Sequence, residues 1–217
     1  MRICVSLESI SPWLVNKILK NLVEKGVDLA EVKLPISGEK IGDLERVVKN
    51  YCSKIIIKPI FTGKQGFPVL KRVIENRPFY LELDMDIIGK HPEILDLIME
   101  NDVFLMVSID YQNSPSVDEL VHDAIRALAQ SDIVKITFPA ESYEDNLKVF
   151  EVYNSLREDN NRMVVVAKKE KGYISQLLLP VLGAPFAIAS TEEDKNSDYI
   201  NYKAIQVFYK MLGSKST

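Results

Sequence analysis

A lysine stands in the middle of an otherwise mostly apolar run, Asp132-Ile-Val-Lys-Ile-Thr-Phe138. The alternation of this run predicts a β-strand that places Lys135 and Thr137 on one face and hydrophobic side chains on the other. Burial and neighbouring cations disfavour the ammonium form of a lysine, and the neutral amine can attack a ketone or an aldehyde to give an iminium. We therefore predict that Lys135 forms a Schiff base with a carbonyl substrate. The alternative is that Lys135 is a buried ion-pair partner of Glu31 or Glu82.

Charged residues also occupy alternate positions of two other strand-like runs, and one cation follows a third run. They are Glu31 and Lys33, then Glu82, Asp84 and Asp86, and, beyond the third run, Lys64. For any one of them, a solvated strand end explains the charge equally well. Taken together, and because ionised groups inside a barrel are costly unless they are paired, they predict a mixed-charge pocket. We expect this pocket at the C-terminal end of the strands, where barrel enzymes carry their active sites.

Short β-rich runs alternate with helix-period segments along the whole chain. The predicted strands are Arg2–Leu7, Leu29–Ile36, Lys54–Phe61, Phe79–Asp86, Val103–Asp110, Asp132–Phe138, Met163–Lys168 and Pro185–Ser190. Helical segments between them imply parallel pairing through helical crossovers. The predicted helices are Pro12–Lys25, Gly42–Tyr51, Phe67–Asn76, Pro92–Asn101, Val117–Gln130, Glu144–Arg157, Ile174–Leu182 and Ile200–Leu212. An open doubly wound sheet alternates in the same way but usually begins with a glycine-rich phosphate turn, and no G-x-G-x-x-G pattern occurs here. We therefore predict an α/β fold, a (β/α)8 TIM barrel with an outer helix ring, as one domain over residues 1–217.

Several predicted helices carry recognisable end signals. Ser11-Pro12 is typical of a cap followed by proline at the first helical position. The segment Ser116-Val-Asp-Glu119 has the pattern of a capping box. Gly183 follows the seventh predicted helix, where a left-handed residue is preferred.

Composition excludes several classes of partner. With 217 residues, 47% hydrophobic and 27% charged, and a net charge of −4, the chain is typical of a soluble globular protein. No basic block with interleaved aromatic residues indicates nucleic acid, and no apolar stretch indicates a signal peptide or a membrane span. We therefore expect a cytoplasmic protein. The two cysteines and two histidines match no metal-site spacing, so we expect neither a metal nor another cofactor.

Several segments resemble the type I 3-dehydroquinate dehydratase family, in the family's order along nearly the whole chain. Asp132-Ile-Val-Lys-Ile136 is similar to the D-x-V-K-I strand that carries the family's Schiff-base lysine. The other resembling segments are Asp28-Leu-Ala-Glu-Val-Lys33 (D-x-x-E-L-R), Phe61-Thr-Gly-Lys64 (T-x-R), Tyr80-Leu-Glu-Leu-Asp84 (the fourth strand) and Leu182-Gly-Ala-Pro-Phe186 (L-G-S-P-x).

The resemblance implies a lyase of the shikimate pathway, which serves aromatic amino acid biosynthesis. It would remove water from 3-dehydroquinate by syn elimination, with the iminium on Lys135 acidifying the adjacent C–H and a histidine moving the proton. Glu31 would hydrogen-bond ring hydroxyls, and basic residues would hold the substrate carboxylate. The substrate-binding residues that we predict are Glu31, Lys33, Lys64, Glu82, Gln176 and Tyr199. The resemblance also implies a homodimer.

The chain departs from the family at the proton-transfer position. The family motif S-Y-H-D-F-x-x-T-P falls on Val107-Ser-Ile-Asp-Tyr-Gln-Asn-Ser-Pro115, so that Ile109, which cannot transfer a proton, takes the place of the histidine. We predict Asp110 as the substitute catalytic residue, since a one-residue change of register in this strand would turn its side chain inward. His91, after the fourth strand, is a weaker candidate, and His122 falls within a predicted helix.

The family's cationic positions are altered as well. Lys33 and Lys64 replace arginines, Gln176 replaces the arginine of G-x-x-S-R, and the A-P-G-Q loop falls on Asn196-Ser-Asp-Tyr199 without a glutamine. Lysine keeps the charge without the bidentate geometry, and glutamine loses the charge. Three functions therefore stay open: this dehydratase with a rearranged site, a Schiff-base lyase or aldolase for another carbonyl substrate, and a barrel that has lost its base and only binds.

Overall fold

The computed structural model describes residues 1–7, 12–36, 49–61, 66–191, 194 and 197–213. The strands are β1 (Ile3–Leu7), β2 (Leu29–Ile36), β3 (Ile55–Phe61), β4 (Tyr80–Asp84), β5 (Phe104–Asp110), β6 (Ile133–Pro139), β7 (Met163–Lys168) and β8 (Ala187–Ala189). The helices are α1 (Pro12–Glu24), α2 (Gly66–Glu75), α3 (Met85–Lys90), α4 (Glu93–Glu100), α5 (Val117–Leu128), α6 (Asp145–Ser155), α7 (Tyr173–Leu178) and α8 (Tyr202–Gly213). Short 3-10 helices cover Cys52–Lys54, Arg157–Arg162 and Glu170–Gly172. Most of the predicted helix Gly42–Tyr51 lies outside the described residues.

The eight strands are parallel and follow the order β7-β6-β5-β4-β3-β2-β1-β8. Their residues are rich in valine and isoleucine because helices cover strands that are buried on both faces. Ile55, Ile56 and Ile57 of β3 are completely buried, as are Val164 and Val165 of β7. Eight successive parallel strands with helices between them confirm the predicted α/β class and its (β/α)8 barrel architecture.

The chain divides into two compact units. The N-terminal unit is Ser6–Val107, and the C-terminal unit combines Met1–Val5 with Ser108–Thr217. In the N-terminal unit, β2 pairs with β3 so that Lys33 lies beside Lys58. In the C-terminal unit, β6 pairs with β7 so that Lys135 lies beside Val164.

The helix signals in the sequence fold as predicted where the structure describes them. Helix α1 begins at Pro12, whereas the predicted cap Ser11 lies outside the described residues. The Ser116 hydroxyl accepts from the backbone N–H of Glu119, and the Glu119 carboxylate accepts from the backbone N–H of Ser116, which completes the capping box. Gly183 has a φ of 104°, the left-handed conformation that its position requires.

The fourth predicted strand is too long. Strand β4 ends at Asp84, and helix α3 begins at the next residue. Asp86, expected on the strand face of Glu82 and Asp84, is an exposed residue of α3. The alternation of apolar and acidic residues continues past the strand, but Ile88 is buried three residues after Met85, which is a helical spacing.

Within the described ranges, no helix has the length and apolar character that crossing a membrane requires.

Candidate active site

Lys135 lies in the middle of β6, a strand whose seven residues are all buried. Its side chain is buried as well, with the residue 3% exposed. Alternate residues of a strand share a face, so Lys135 and Thr137 point the same way, and the register with β7 adds Val164, Val166 and Lys168 to that face. An ammonium group so deeply placed is stable only with close polar partners, or it gives up its proton.

Two side chains on that face converge on Asp110, at the C-terminal end of β5. The Thr137 hydroxyl donates to Asp110 Oδ1 over 2.5 Å. The Lys168 Nζ donates to the same oxygen over 2.7 Å. We call Asp110, Lys135, Thr137 and Lys168 the Lys135 cluster. It combines a carboxylate, a hydroxyl and two amines on one face of three neighbouring strands.

The sequence did not decide which side chains of β5 lie on the same face as Lys135, and these contacts decide it. Because Asp110 reaches Thr137, its side chain lies on the Lys135 face, and Ser108, two residues earlier, shares that face. Ser108 is buried, whereas Ile109, in the position of the family's histidine, is half-buried. The backbone N–H of Tyr111 donates to the Thr137 carbonyl over 2.8 Å and holds the end of β5 against β6.

Strand β7 is the last strand in the sheet order, and side chains satisfy its outer edge. Met163, Val165 and Ala167 alternate along β7, so their backbone polar groups point to that edge. The buried Tyr153 hydroxyl donates to the Met163 carbonyl over 2.8 Å and accepts from the backbone N–H of Val165 over 3.3 Å. Burial raises the pKa of this phenol, which therefore stays protonated as a donor.

Gln176 satisfies the rest of this edge. Its Nε2 donates to the Ala167 carbonyl over 2.8 Å and to the Asp198 carbonyl over 3.2 Å. Its Oε1 accepts from the backbone N–H of Ile200 over 2.9 Å. The completely buried carboxamide, predicted to bind substrate, thus ties residues 198–200 to β7. Tyr199 is held in the same segment, where its carbonyl accepts from the Ser190 hydroxyl over 3.0 Å.

In the N-terminal unit, Glu31 lies on β2 and is completely buried. The Ser6 hydroxyl donates to Glu31 Oε1 over 2.8 Å, and Lys33 Nζ lies 4.0 Å from the same oxygen. A hydrogen bond from a hydroxyl stabilises a buried carboxylate without neutralising it. Glu31 is therefore an acceptor held in a fixed position by the end of β1.

Lys58 on β3 joins two acidic residues of β4. Its Nζ lies 2.9 Å from Glu82 Oε1 and 2.9 Å from Asp84 Oδ1. Glu82 is completely buried, whereas the side chain of Asp84 is 48% exposed. The register places Lys33 beside Lys58, so these two lysines, from neighbouring strands, share one face. We call Ser6, Glu31, Lys33, Lys58, Glu82 and Asp84 the Glu31 cluster.

The remaining predicted residues lie elsewhere. Lys64 is outside the described residues. His91 is exposed after α3, with its Nδ1 3.2 Å from Glu93 Oε1. His122 is exposed on α5 beside Asp123. In the part of the chain that the structure describes, no group of three His, Cys, Asp or Glu side chains is placed to hold a metal ion.

Sequence reasoning missed three residues of these clusters: Ser6, Lys58 and Lys168. Lys58 interrupts the apolar run Ile55-Ile-Ile-Lys-Pro-Ile-Phe61 just as Lys135 interrupts its own, so the same signal could have found it. Lys168 ends an entirely apolar strand, where a charge is typical of a solvated end. Only its contact with Asp110 distinguishes it.

A second ionic network supports the loop after β5. Asp145 begins α6 and accepts from Ser114 Oγ over 2.6 Å and from the backbone N–H groups of Glu141 and Ser142. Lys148 Nζ lies 2.8 Å from its Oδ1. Burial alone would raise the pKa of Asp145, but these hydrogen bonds hold it well below its ordinary value. The network fixes Ser114, four residues after Asp110.

Comparisons with known proteins agree with this architecture. The family profile described as Type I 3-dehydroquinase matches residues 3–216. A 3-dehydroquinate dehydratase from Thermodesulfovibrio yellowstonii is 27% identical over 203 residues, which cover 87% of this chain and 87% of that protein.

Two solved structures show the same fold. The 3-dehydroquinate dehydratase from Geobacillus kaustophilus HTA426 has a TM-score of 0.81 at 17% identity, and the match covers 100% of this chain and 92% of that chain. The type I 3-dehydroquinate dehydratase from Clostridium difficile, solved with covalently modified comenic acid, has a TM-score of 0.82 at 14% identity, covering 99% and 93%.

Proposed function

Because the chain belongs to the type I 3-dehydroquinase family, we propose that it converts 3-dehydroquinate to 3-dehydroshikimate through a Schiff base on Lys135. The observation that carries this proposal is a lysine buried in mid-strand, on the strand face to which Asp110, Thr137 and Lys168 also contribute. A structural lysine needs only a counter-ion, whereas this one shares its face with groups that can move protons.

The reaction divides into steps with separate demands. The amine of Lys135 attacks the ketone of the substrate, and loss of one water gives an iminium. The positive nitrogen withdraws electrons, so the neighbouring carbon gives up a proton more readily. Asp110 is the base that accepts this proton in place of the histidine that Ile109 replaces. Departure of hydroxide forms the conjugated double bond, and hydrolysis of the iminium releases the product.

Substrate binding falls to residues with fixed polar groups. Glu31 and Glu82, both completely buried, are suited to accept hydrogen bonds from ring hydroxyls. Lys33 and Lys64 supply positive charge for the carboxylate. Gln176 bonds the backbone of Asp198 and Ile200, on either side of Tyr199, and so helps to position this segment. Tyr199 is the last of the predicted substrate-binding residues.

The reaction setting follows from the same proposal. The enzyme acts in the shikimate pathway, needs no cofactor beyond its own lysine, and works in the cytoplasm. A homodimer stays a prediction from the family resemblance, which the mass from light scattering after gel filtration would test.

The activity test follows the ultraviolet absorbance of the conjugated enone in purified protein supplied with 3-dehydroquinate. The wild type is expected to form the enone, and Lys135→Met, which keeps the volume but lacks the amine, is expected to form none. Asp110→Asn is expected to lose about 10²-fold or more of the rate, the usual contribution of a general base. A Lys135→Met variant with wild-type rate would refute the proposal.

A second function is favoured by one observation. Gln176 replaces a family arginine and uses its carboxamide to hold backbone, so this position contributes no cation for a carboxylate. A Schiff-base lyase or aldolase acting on another carbonyl compound fits that change. Adduct formation with 3-dehydroquinate but no enone from the wild type would favour this function, or a barrel that binds without catalysis.

A further inference from the structure

Elimination of water requires two proton transfers at two different atoms. One group takes a proton from carbon, and another gives a proton to the departing hydroxide. A histidine can do both, but the described histidines, His91 and His122, are both exposed and paired with Glu93 and Asp123. The Lys135 cluster offers instead two groups of opposite charge in direct contact.

We propose that Lys168 is the acid that protonates the departing hydroxide, and that Asp110 and Lys168 divide between them the two proton transfers. This inference rests on the proposed function and adds to it a catalytic residue that the sequence did not indicate. The observation behind it is the 2.7 Å contact between Lys168 Nζ and Asp110 Oδ1.

The strand register brings Lys168 to the right face. Lys168 lies beside Pro139, and Lys135 lies beside Val164, so an even number of residues separates the two positions along the paired strands. Both side chains therefore point to the same face. At about 3.3 Å per residue, Lys168 begins about 13 Å further along the strands than Lys135, and Thr137 about 6.6 Å further. The pair therefore lies on the C-terminal side of Lys135, the side on which barrel enzymes bind their substrates.

The surroundings suit an acid more than a passive counter-ion. The side chain of Lys168 is 15% exposed and that of Asp110 is 47% exposed, so the pair is open to solvent on the Asp110 side. Thr137 donates to the same Asp110 oxygen and fixes it while Lys168 moves. The four-carbon stem of a lysine allows its ammonium group to follow a leaving oxygen over a short distance.

The protons balance over one turnover. Asp110 starts as a carboxylate and Lys168 as an ammonium group. Asp110 takes the proton from the carbon beside the iminium, and the electron pair of that C–H bond forms an enamine as the C=N π electrons move to nitrogen. The nitrogen pair then restores the iminium, and the enamine electrons form the conjugated double bond as the C–O bond breaks. Lys168 gives its proton to the departing hydroxide, which leaves as water. The carboxylic acid of Asp110 then returns its proton to the neutral amine of Lys168 across their contact, which restores the starting state.

The decisive variant is Lys168→Arg. Arginine keeps the positive charge and the ion pair with Asp110, but it does not release a proton in proteins. A role in positioning Asp110 predicts that Lys168→Arg works like the wild type. A role as acid predicts that enone formation falls by about 10²-fold or more, while Asp110 still exchanges the proton on carbon.

Three readouts are needed for each variant with 3-dehydroquinate. They are trapping of the Lys135 adduct with borohydride, exchange of the proton beside the former carbonyl in D₂O, and enone absorbance. Lys168→Arg and Lys168→Met are expected to keep the adduct and the exchange and to lose the enone. Asp110→Asn is expected to keep the adduct and to lose both exchange and enone. Lys210→Met, on an exposed turn of α8, is the matched control and should behave as wild type.

The outcomes separate this inference from the function on which it rests. Wild-type enone formation by Lys168→Arg would overturn the role of Lys168 and leave the proposed function standing. Loss of exchange in Lys168→Arg would also overturn it, because Lys168 would then act through Asp110. Absence of adduct and enone in the wild type would instead overturn the proposed function.

Discussion

At the scale of single residues, the buried carboxylates of Glu31, Glu82 and Asp145 are each tied to a named donor. Asp145 is the clearest case, because its carboxylate receives hydrogen bonds from two backbone N–H groups and from Ser114, and an ion pair from Lys148. Glu31, with Ser6 and Lys33, follows the same rule. Donors held in place stabilise the ionised form of a carboxyl, so such residues add stability only while they carry charge.

Asp145→Asn tests this rule through pH. The hydrogen bonds hold the pKa of Asp145 below its ordinary value of 3.8, so its contribution is complete above pH 3.8 and is lost as the pH falls through its lower folded-state pKa. We expect the variant to lose roughly 2–4 kcal/mol of unfolding free energy at pH 7, and the deficit to shrink below about pH 3.8. Urea unfolding between pH 7 and pH 2.5 measures both, and a deficit independent of pH would contradict the account.

The sequence predicts a site residue well when the pattern that identifies it lies within one strand, and poorly when it depends on contacts between distant strands. Alternation in β6 is local, and it placed Lys135 and Thr137 on one face, which the register and the Asp110 contact confirm. The partners of Asp110 were not predictable, because the contact with Lys168 joins strands 58 residues apart in sequence. The role of Gln176 was also hidden, since it bonds backbone groups that sequence reasoning does not locate.

At the scale of elements, the outer edge of β7 depends on two side chains from the following helices. Tyr153 of α6 and Gln176 of α7 bind the backbone groups of β7 that point away from β6. An unsatisfied edge is a site of fraying and of wrong pairing. Lys168 belongs to this strand, so these two side chains also help to hold its backbone in place.

Gln176→Leu removes three hydrogen bonds, but the volume of leucine is similar to that of glutamine. The Ala167 carbonyl and the Ile200 N–H lose this partner, whereas the Asp198 carbonyl still accepts from the backbone N–H of Lys169. We expect the unfolding free energy to fall by roughly 2–4 kcal/mol. The backbone N–H of Ile200 should exchange with solvent faster, because Gln176 Oε1 no longer accepts from it. The control is Gln130→Leu, the same substitution at a glutamine whose hydrogen bond is exposed. It should change the unfolding free energy by less than about 0.5 kcal/mol. Equal exchange at Ile200 in both variants would count against this role.

The boundaries of elements show where sequence patterns stop. Strands β2 and β7 have the predicted bounds, since turn-like or polar residues flank each apolar run. Helix α3 was missed because Met85-Asp-Ile-Ile-Gly-Lys90 is only six residues long and continues the alternation of β4. A helix of this length depends on packing of Ile88 and not on its own propensity.

At the scale of the whole molecule, the fold was predictable because eight βα repeats extend along the whole chain. The division into one domain over residues 1–217 stays a prediction. Both unit boundaries fall inside strands, between Val5 and Ser6 in β1 and between Val107 and Ser108 in β5. Hydrogen exchange of peptides from β3 and β6 over a urea series is expected to give one shared midpoint. Two separate midpoints would indicate two domains.

The central claim concerns one covalent bond. Wild-type protein is incubated with 3-dehydroquinate and borohydride, digested, and mapped by mass spectrometry, with Lys135→Met and Lys210→Met treated in parallel. Lys210 is the control, as an exposed lysine of α8 outside both clusters. The account predicts a reduced adduct on the peptide that contains Lys135, in the wild type and in Lys210→Met, and none in Lys135→Met. An unmodified Lys135 in the wild type, or an adduct on another lysine, would contradict it.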